Sequence, residues 1–296
     1  MTTQAWSTRV RHDDDVTFRE WGLELNTKLA AAGLVKTADT GQIDWATVVR
    51  PAGSGDGGYE IWRMNDAMQA TAPVFFRIDY GTNTSLSSPR IHITTGTAVN
   101  GAGVLSGIGG SKASIHGAAT QNSDTSRQSY LCVAEGFFGL NWKIGSGLPE
   151  GCFLFCRTVD AAGVPTALGS MQVWGAGAVS SLGRTQAFRY AATAVAFAAK
   201  TAVTETALCF SPQTPITTAV GADIQAMLAW TITPAIAPLV GICGVLTTEI
   251  AQGGTFSFAP VGVTAHTYIG LSNLAGPPSV LPSNSFSGLR FAMLWE

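Results

Sequence analysis

The amino-acid sequence predicts a mainly β protein of the β-sandwich or jelly-roll-like kind, with one amphipathic helix near its start. The first observation is the alternation of apolar and polar side chains over residues 74–80, which is the period of a strand with one buried face. The second is the series of short apolar runs separated by Gly- and Pro-containing segments along the rest of the chain. The third is an apolar stripe at helical spacing within residues 14–32. We therefore expect less helix than strand.

The helix is predicted over residues 14–32. Three consecutive aspartates, Asp13 to Asp15, supply an N-cap and negative charge for the first turn, and Gly33 follows an alanine run as the stop. Apolar residues recur between these ends at spacings of three and four: Phe18, Trp21, Leu25 and Leu29. Such a stripe packs on another surface, either in its own domain or on a neighbouring subunit. We predict that these four residues form an interface.

A turn at residues 39–41 is predicted to lead into a short strand before residue 51. Three longer strands are predicted after it, at residues 58–64, 74–80 and 89–95. In the first of them, Glu60, Trp62 and Met64 share one face, because successive side chains of a strand point to opposite sides. In the second, the even-numbered residues are apolar and are expected to face inward, with Arg77 and Asp79 facing outward.

Further elements are predicted from the same two periods. Asn65 or Asp66 is expected to cap a short helix over residues 67–70. Residues 96–129 are small, polar and glycine-rich, and indicate a long loop or short edge strands. Later strands are predicted at residues 130–138, 152–159, 171–174, 186–198, 206–210, 225–233, 239–249, 255–263, 267–271 and 287–295. The alanine-rich residues 190–200 are also compatible with helix.

Charge divides the chain into two regions. Of the 17 Lys or Arg and 19 Asp or Glu residues, 20 lie within residues 1–90, and the remaining 206 residues carry 16. We predict an attachment and assembly region at residues 1–96 and a Gly-, Thr- and Ala-rich β domain at residues 97–296. Charged residues make up 12% of the chain, about half the fraction of about 25% that is usual for globular proteins. So little charge favours a surface covered by partners, and we expect a homo-oligomer, a trimer or higher.

Several partners and locations are not expected from the composition. The net charge of −2 lacks the clustered Lys and Arg of a nucleic-acid interface, so no nucleic acid is predicted. The longest apolar stretch, residues 234–246, is too short and too interrupted by Pro and Gly to be a membrane span. Residues 1–15 are polar and lack a secretory signal, so we expect the protein to stay in the cytoplasm where it is made unless an assembly carries it out.

The cysteines are expected to be reduced, since their number is odd and no secretion signal is seen. They are Cys132, Cys152, Cys156, Cys209 and Cys243. Cys152 and Cys156 share one face of a predicted strand, but four residues at about 3.3 Å each separate them by roughly 13 Å, which is too far for a disulfide. A second pair with zinc-ligand spacing is missing, so no metal site is predicted.

The motifs of catalysis and cofactor binding are not found in the sequence. The glycine-rich segment at residues 107–112, GIGGSK, lacks the Gly-Lys-Ser/Thr order of a phosphate loop, and no G-x-S-x-G nucleophile motif occurs. The four histidines lie far apart; His92 is expected on a strand face and His266 in a turn. We predict no catalytic residue, no cofactor and no enzyme. Paired carboxylates of a glycoside hydrolase and an aromatic glycan-binding platform stay open as alternatives, because both arise only in the fold.

The first third of the chain and its last residues carry a resemblance to a class of known proteins. Residues 18–51, residues 58–83 and the closing LRFAMLWE (289–296) resemble uncharacterised structural proteins of tailed-bacteriophage virions. The resemblance implies a place in a virion, associated with the tail, its fibres or the baseplate, with other virion proteins and a host-surface glycan as candidate partners. The alternatives are a head-surface decoration protein or a virion-associated protein that binds or hydrolyses glycan. The resemblance transfers no catalytic residue.

Overall fold

The computed structural model describes residues 2–8, 14–82, 89–107, 113–116, 127–142, 151–174, 184–191, 194–200, 208–210, 216–217, 223–230, 236–245, 253–259, 264–271 and 290–295. Within these ranges the chain is mainly β, with one α-helix and one short 3₁₀ helix. Neighbouring strands of the two larger sheets run antiparallel. The prediction of a mainly β fold is therefore confirmed.

The first part of the chain contains both helices and eight of the strands. These are β1 (Thr2–Thr8), α1 (Asp15–Ala32), β2 (Val35–Lys36), β3 (Gly55–Arg63), the 3₁₀ helix (Ala67–Ala70), β4 (Phe75–Thr82), β5 (Pro89–Gly96), β6 (Ala98–Val99), β7 (Leu105–Ser106) and β8 (Ala113–His116). The predicted helix, the predicted short helix and the strands predicted at residues 58–64, 74–80 and 89–95 occur. The short strand predicted after the turn at residues 39–41 does not, because the chain makes further turns up to residue 51.

The second part of the chain contributes thirteen strands to the described structure. These are β9 (Arg127–Ala134), β10 (Phe137–Trp142), β11 (Gly151–Val159), β12 (Pro165–Trp174), β13 (Arg184–Ala191), β14 (Ala194–Lys200), β15 (Leu208–Phe210), β16 (Ile216–Thr217), β17 (Asp223–Trp230), β18 (Ile236–Val245), β19 (Thr255–Phe258), β20 (His266–Gly270) and β21 (Arg290–Leu294). The alanine-rich residues 190–200 contribute to two paired strands, so the strand interpretation holds there. The strand predicted at residues 130–138 is instead two strands, joined at Glu135 and Gly136, where Gly136 has a φ of 71°.

Both ends of α1 are fixed by the residues that the sequence indicated. Asp14 accepts a hydrogen bond from the backbone N–H of Thr17 at 2.8 Å, and the Thr17 hydroxyl lies 3.3 Å from the backbone nitrogen of Asp14, which completes a capping box. The bond from Thr17 lowers the pKa of the Asp14 carboxyl. At the other end Gly33 adopts a left-handed φ of 108°, a conformation that glycine takes without a steric penalty.

A five-stranded sheet forms in the order β2-β3-β4-β5-β8. Cross-strand pairing sets Glu60 opposite Ile78 and Ile78 opposite Ile93, so these three residues lie on the same face of the sheet. The apolar residues of this face belong to one buried cluster that also contains the stripe of α1. The cluster is called the first core below.

A larger sheet contains fourteen of the described strands. Its main order is β1-β9-β10-β11-β18-β21-β20-β19, with β12, β13 and β14 continuing from β11, and β15, β16 and β17 joined through β18. Consecutive strands pair as hairpins in most of it, whereas β1 pairs with β9 across more than a hundred residues of sequence. A two-stranded sheet of β6 and β7 completes the topology.

The strands β9, β10 and β11 are buried on both faces. One face contributes Leu131, Val133, Phe138, Leu140, Phe153 and Phe155 to the first core. The other face contributes Tyr130, Cys132, Ala134, Phe137, Cys152, Leu154 and Cys156 to a second core, shared with β18 to β21. Burial on both sides explains why these strands read as unbroken apolar runs rather than as alternating ones.

The first core crosses the boundary predicted near residue 96. Phe76 of β4 packs its ring 5.0 Å from that of Phe138, 5.7 Å from Phe153 and 5.6 Å from Phe155, measured between centroids. Edge-to-face pairs of this kind stabilise beyond the area they bury. The division into an attachment region at residues 1–96 and a β domain at residues 97–296 stays a prediction. Side chains from both parts pack together in the first core.

Candidate functional site

The four residues predicted as an interface lie in the interior of the chain. Phe18, Trp21, Leu25 and Leu29 are all buried in the first core. Phe18 contacts Trp21 and Trp45 at ring-centroid distances of 5.6 and 5.8 Å, and Trp21 meets Tyr80 edge-on at 5.8 Å. The helical period identified an apolar stripe correctly, but it could not say which surface covers the stripe. The structure assigns that surface to the chain's own sheets, and these residues are core rather than interface.

A fully buried carboxylate lies at the centre of the first core, on the same face of β3 as Trp62 and Met64. The Oε1 atom of Glu60 accepts hydrogen bonds from Asn26 Nδ2 at 2.5 Å, Lys36 Nζ at 2.6 Å and Trp45 Nε1 at 3.0 Å. Its Oε2 atom accepts one from the Tyr80 hydroxyl at 2.7 Å. These five residues are called the Glu60 cluster.

The Glu60 cluster joins four parts of the fold: α1, β2, the segment before β3, and β4. Trp45 reaches the carboxylate because Gly22 leaves room on α1, where a Cβ would lie 1.8 Å from its ring. Burial, and then the Glu60 charge, raise the pKa of Tyr80 well above its ordinary value, so that it stays a phenol and donates. The cluster thus orients the helix on the sheet, and its carboxylate accepts four hydrogen bonds from the protein itself.

A second buried charge pair connects the two sheets. Arg157 of β11 donates from Nε to Asp66 Oδ2 at 2.6 Å and from Nη2 to the carbonyl of Ala72 at 2.9 Å, and both charged side chains are 1% exposed. Asp66 was predicted to cap the short helix, but its side chain makes no cap bond. Arg157 takes that carboxylate, and Glu135 accepts from the backbone N–H of Ala67 instead, at 2.7 Å.

The outer face of the five-stranded sheet carries paired charges. Asp56 accepts from Arg90 at 2.8 Å and lies 3.4 Å from Nδ1 of His92. On the neighbouring positions Arg77 pairs with Asp79 at 2.8 Å and stacks over the ring of Tyr59, 3.9 Å from its centroid. The Arg77 guanidinium also donates to the carbonyl of Gly103 at 2.7 Å, which holds the β6–β7 segment against this face. Arg77 and Asp79 therefore point away from the first core as predicted, although Asp79 is buried by these contacts.

Two of the predicted histidine positions can be compared with the structure. His92 lies on β5 as predicted, whereas His266, predicted in a turn, is the first residue of β20 and pairs with Phe258. Four cysteines are buried and not in disulfides, namely Cys132, Cys152, Cys156 and Cys243, and the side chain of Cys209 and the whole of His12 lie outside the described residues. Burial raises the pKa of the Cys156 thiol to about 11, and raises that of Cys243 well above its usual value. Both thiols are therefore protonated at neutral pH and are poor nucleophiles.

Sequence reasoning missed the buried charges, although the sequence contained a signal for each. Glu60 shares a predicted strand face with Trp62 and Met64, and a carboxylate on an apolar face predicts a buried partner. Arg157 follows the apolar run CFLFC directly, which predicts that its guanidinium is drawn into the core or across an interface. The partners of both come from distant parts of the chain, so spacing alone could not identify them.

Metal sites and membrane-spanning helices are both absent from the described residues. Across the part of the chain that the structure covers, no group of three or more His, Cys, Asp or Glu side chains is arranged to hold a metal ion. Among the same residues, no helix is long and apolar enough to cross a membrane.

The described side chains thus form two buried charge clusters that hold elements together and a charged outer sheet face. Comparison with known proteins adds no family to this picture: no protein-family model matches the chain, and no curated protein matches it.

Proposed function

We propose that this chain is a non-enzymatic structural component of a tailed-phage virion, associated with the tail, a fibre or the baseplate. In this proposal it works as a homo-oligomer, a trimer or higher, among other virion proteins, and its strands complete a β-sandwich or jelly-roll-like arrangement. Support comes from the resemblance of residues 18–51, 58–83 and 289–296 to such proteins. The physical support is the use that the chain makes of its few charges.

The observation that carries the proposal is that scarce charged side chains are used inside the fold. The chain has 17 Lys or Arg and 19 Asp or Glu residues, and five of those described are buried: Asp39, Glu60, Asp66, Asp79 and Arg157. The five leave at most 31 charged side chains for the surface of a 296-residue chain. Single copies of a protein in water depend on surface charge to stay apart, whereas subunits of an assembly are covered by neighbours.

Exposed apolar side chains support the same conclusion. Among the described residues, five large apolar side chains are at least half exposed: Val16, Leu23, Val49, Val104 and Val164. Val16 and Leu23 are seven residues apart on α1 and so lie on one side of it, opposite the buried stripe. Exposed apolar side chains on a helix are suited to contact with another subunit.

The outer face of the five-stranded sheet is the proposed attachment surface of residues 1–96, because the apolar stripe of α1 is buried in the first core. Asp56, Arg90 and His92 present both signs of charge on the outer face of the five-stranded sheet. Mixed charges at an interface set register and exclude wrong partners. We infer that this face contacts other virion proteins.

The proposal is tested first on whole particles. Mass spectrometry of purified virions should find this chain at a copy number that matches a rotational symmetry, and sedimentation of the isolated protein should show a multimer. If the protein is abundant in the infected-cell lysate but absent from purified particles, the proposal is wrong.

The attachment face is tested by reversing a charge pair without breaking it. The double variant Asp56→Arg with Arg90→Asp retains an internal ion pair, so its melting temperature should stay close to that of the wild type. We expect incorporation of this variant into particles to fall, because the positive and negative charges that a partner protein would contact have exchanged positions. Normal incorporation of this folded variant would remove the face from the proposal.

A further inference from the structure

The strand β1 is held in the large sheet differently from the other strands. It pairs antiparallel with β9 over seven residues, from Thr2 opposite Val133 to Thr8 opposite Arg127. It lies at the end of the strand order, and β9 has its other edge occupied by β10. By contrast, β9 and β10 are joined through Glu135 and Gly136 alone, which ties those two strands to each other in one copy.

One large side chain anchors β1 in the first core. Trp6 is buried in that core, whereas Thr3 and Gln4 are only partly covered and Thr2 and Ala5 are exposed. The strand is also held by its backbone ladder with β9, and it lies against α1. An edge strand with a single buried anchor among its described side chains can leave its place while the rest of the core stays packed.

The surface that β1 would leave exposed fits another copy of β1. It consists of the β9 edge, which lacks a partner once β1 is absent, and the pocket for the Trp6 ring beside α1. An unpaired edge beside an apolar pocket favours strand addition. The strand that fits it is already known from the structure, and every copy of the chain carries that strand.

We propose that β1 is exchanged between copies of this chain, so that β1 of one copy pairs with β9 of another. The contacts are identical within a copy and between copies, so the balance depends on how close the copies are held. In an assembly the copies are close, which favours exchange. The inference deepens the proposed function, because it names a second copy as the partner and β1 as the contact.

A cysteine pair across the ladder distinguishes the two arrangements. Thr2 and Val133 lie directly opposite each other, at a separation that a disulfide can close with small adjustments. Protein carrying both Thr2→Cys and Val133→Cys would be prepared with and without ¹⁵N label, mixed in equal amounts, unfolded and refolded together, and then oxidised. The two single variants control for reaction with the native cysteines.

Exchange predicts covalent multimers on a non-reducing gel, a dimer where two copies exchange reciprocally and a trimer where three exchange in a ring. About half of the linked peptide pairs should join a labelled to an unlabelled chain. A further Trp6→Ala substitution should abolish most of the covalent multimer, and Trp6→Phe should retain it. Linked pairs that all come from one chain would overturn the exchange, and so would a failure to link, since the register would then be wrong. The proposed function survives without the exchange if all the links are within one chain while the isolated protein still sediments as a multimer and the chain is found in purified virions.

Discussion

The two cores of this protein are built from different chemistry around the same three strands. The first core contains the buried Glu60 carboxylate with its four donors, of which Asn26 and Lys36 are only partly covered, and the Arg157–Asp66 pair joins its sheet to β11. The second core, on the other face of β9 to β11, contains four cysteines, aromatic rings and aliphatic side chains. In the first core, charges specify which elements meet. In the second core, shape and backbone pairing do so.

This difference follows from how the elements are connected. The first core brings together a helix, a small sheet and a distant strand, and the apolar contacts between them could be satisfied in several orientations. A buried charge that needs particular donors penalises the wrong orientations, because an unpaired charge in the interior is very unfavourable. The second core is assembled mainly from hairpins, such as β19 with β20, whose registers follow from local connections.

The largest expected effect comes from placing charge in the first core. The double variant Phe18→Asp with Leu25→Asp should fail to fold, because each buried and unpaired carboxylate costs several kcal/mol, about 3 or more. Circular dichroism and thermal melting would show the loss. The matched control is Leu23→Asp on the exposed side of α1, which should melt close to the wild type. A folded double variant would show that the helix is not part of the core.

Removal of one partner from the pair between the sheets should have the next largest effect. Arg157→Met leaves the Asp66 carboxylate buried without its partner, which costs about 3–5 kcal/mol. The double variant Arg157→Met with Asp66→Leu should recover part of that loss, since no charge is then left unpaired. Urea unfolding of the three proteins measures both values. Equal stability of Arg157→Met and the wild type would mean that the pair is not buried.

Two substitutions of Glu60 test whether the first core depends on hydrogen bonding or on shape. Glu60→Leu leaves the Trp45, Asn26 and Tyr80 donors without their acceptor, at a cost of about 1–3 kcal/mol for each group that stays unsatisfied. Glu60→Gln retains an acceptor oxygen for the first two, and Tyr80 can accept from the new amide. We expect it to lose about 1–2 kcal/mol, as charge-assisted bonds become neutral ones.

The comparison between the two Glu60 variants is read from urea unfolding. If leucine is tolerated as well as glutamine, the cluster contributes only volume. Lys36→Met is the control for the most exposed of the four donors, and it should cost less than either Glu60 substitution.

The sequence was sufficient for most elements of both regions but not for the contacts between them, and it gave no sign of β1. Asp14, Thr17 and Gly33 fix α1 through bonds within a few residues, so its bounds could be predicted. The partner of its apolar stripe could not, because β4 and β9 meet the helix only in the fold. Likewise Asp66 was expected to act locally as a cap, and a guanidinium 91 residues away takes its carboxylate. Contacts between residues close in sequence could be predicted. The competition of a distant side chain such as Arg157 for the Asp66 carboxylate could not.

The smallest expected effect belongs to the second core and appears at alkaline pH. Burial raises the pKa of Cys156 from an ordinary value of 9.0 to about 11, so the folded protein holds this proton while the unfolded chain releases it. Stability is therefore fully present below about pH 9 and falls as the pH rises towards 11. The loss from this thiol is about 1 kcal/mol by pH 10, since one pKa unit corresponds to about 1.4 kcal/mol. Cys243, whose pKa is also raised, adds to the slope.

Urea unfolding at intervals between pH 8 and pH 10 measures this slope, in a range below the ordinary titration of lysine. Cys156→Ala should be less stable than the wild type at pH 8, yet lose less stability on going to pH 10, because one of the two thiols with a raised pKa is gone. The pH dependence is the diagnostic quantity, since a packing defect alone would lower stability equally at both pH values. Parallel pH profiles for the two proteins would mean that Cys156 is accessible to water in the folded protein.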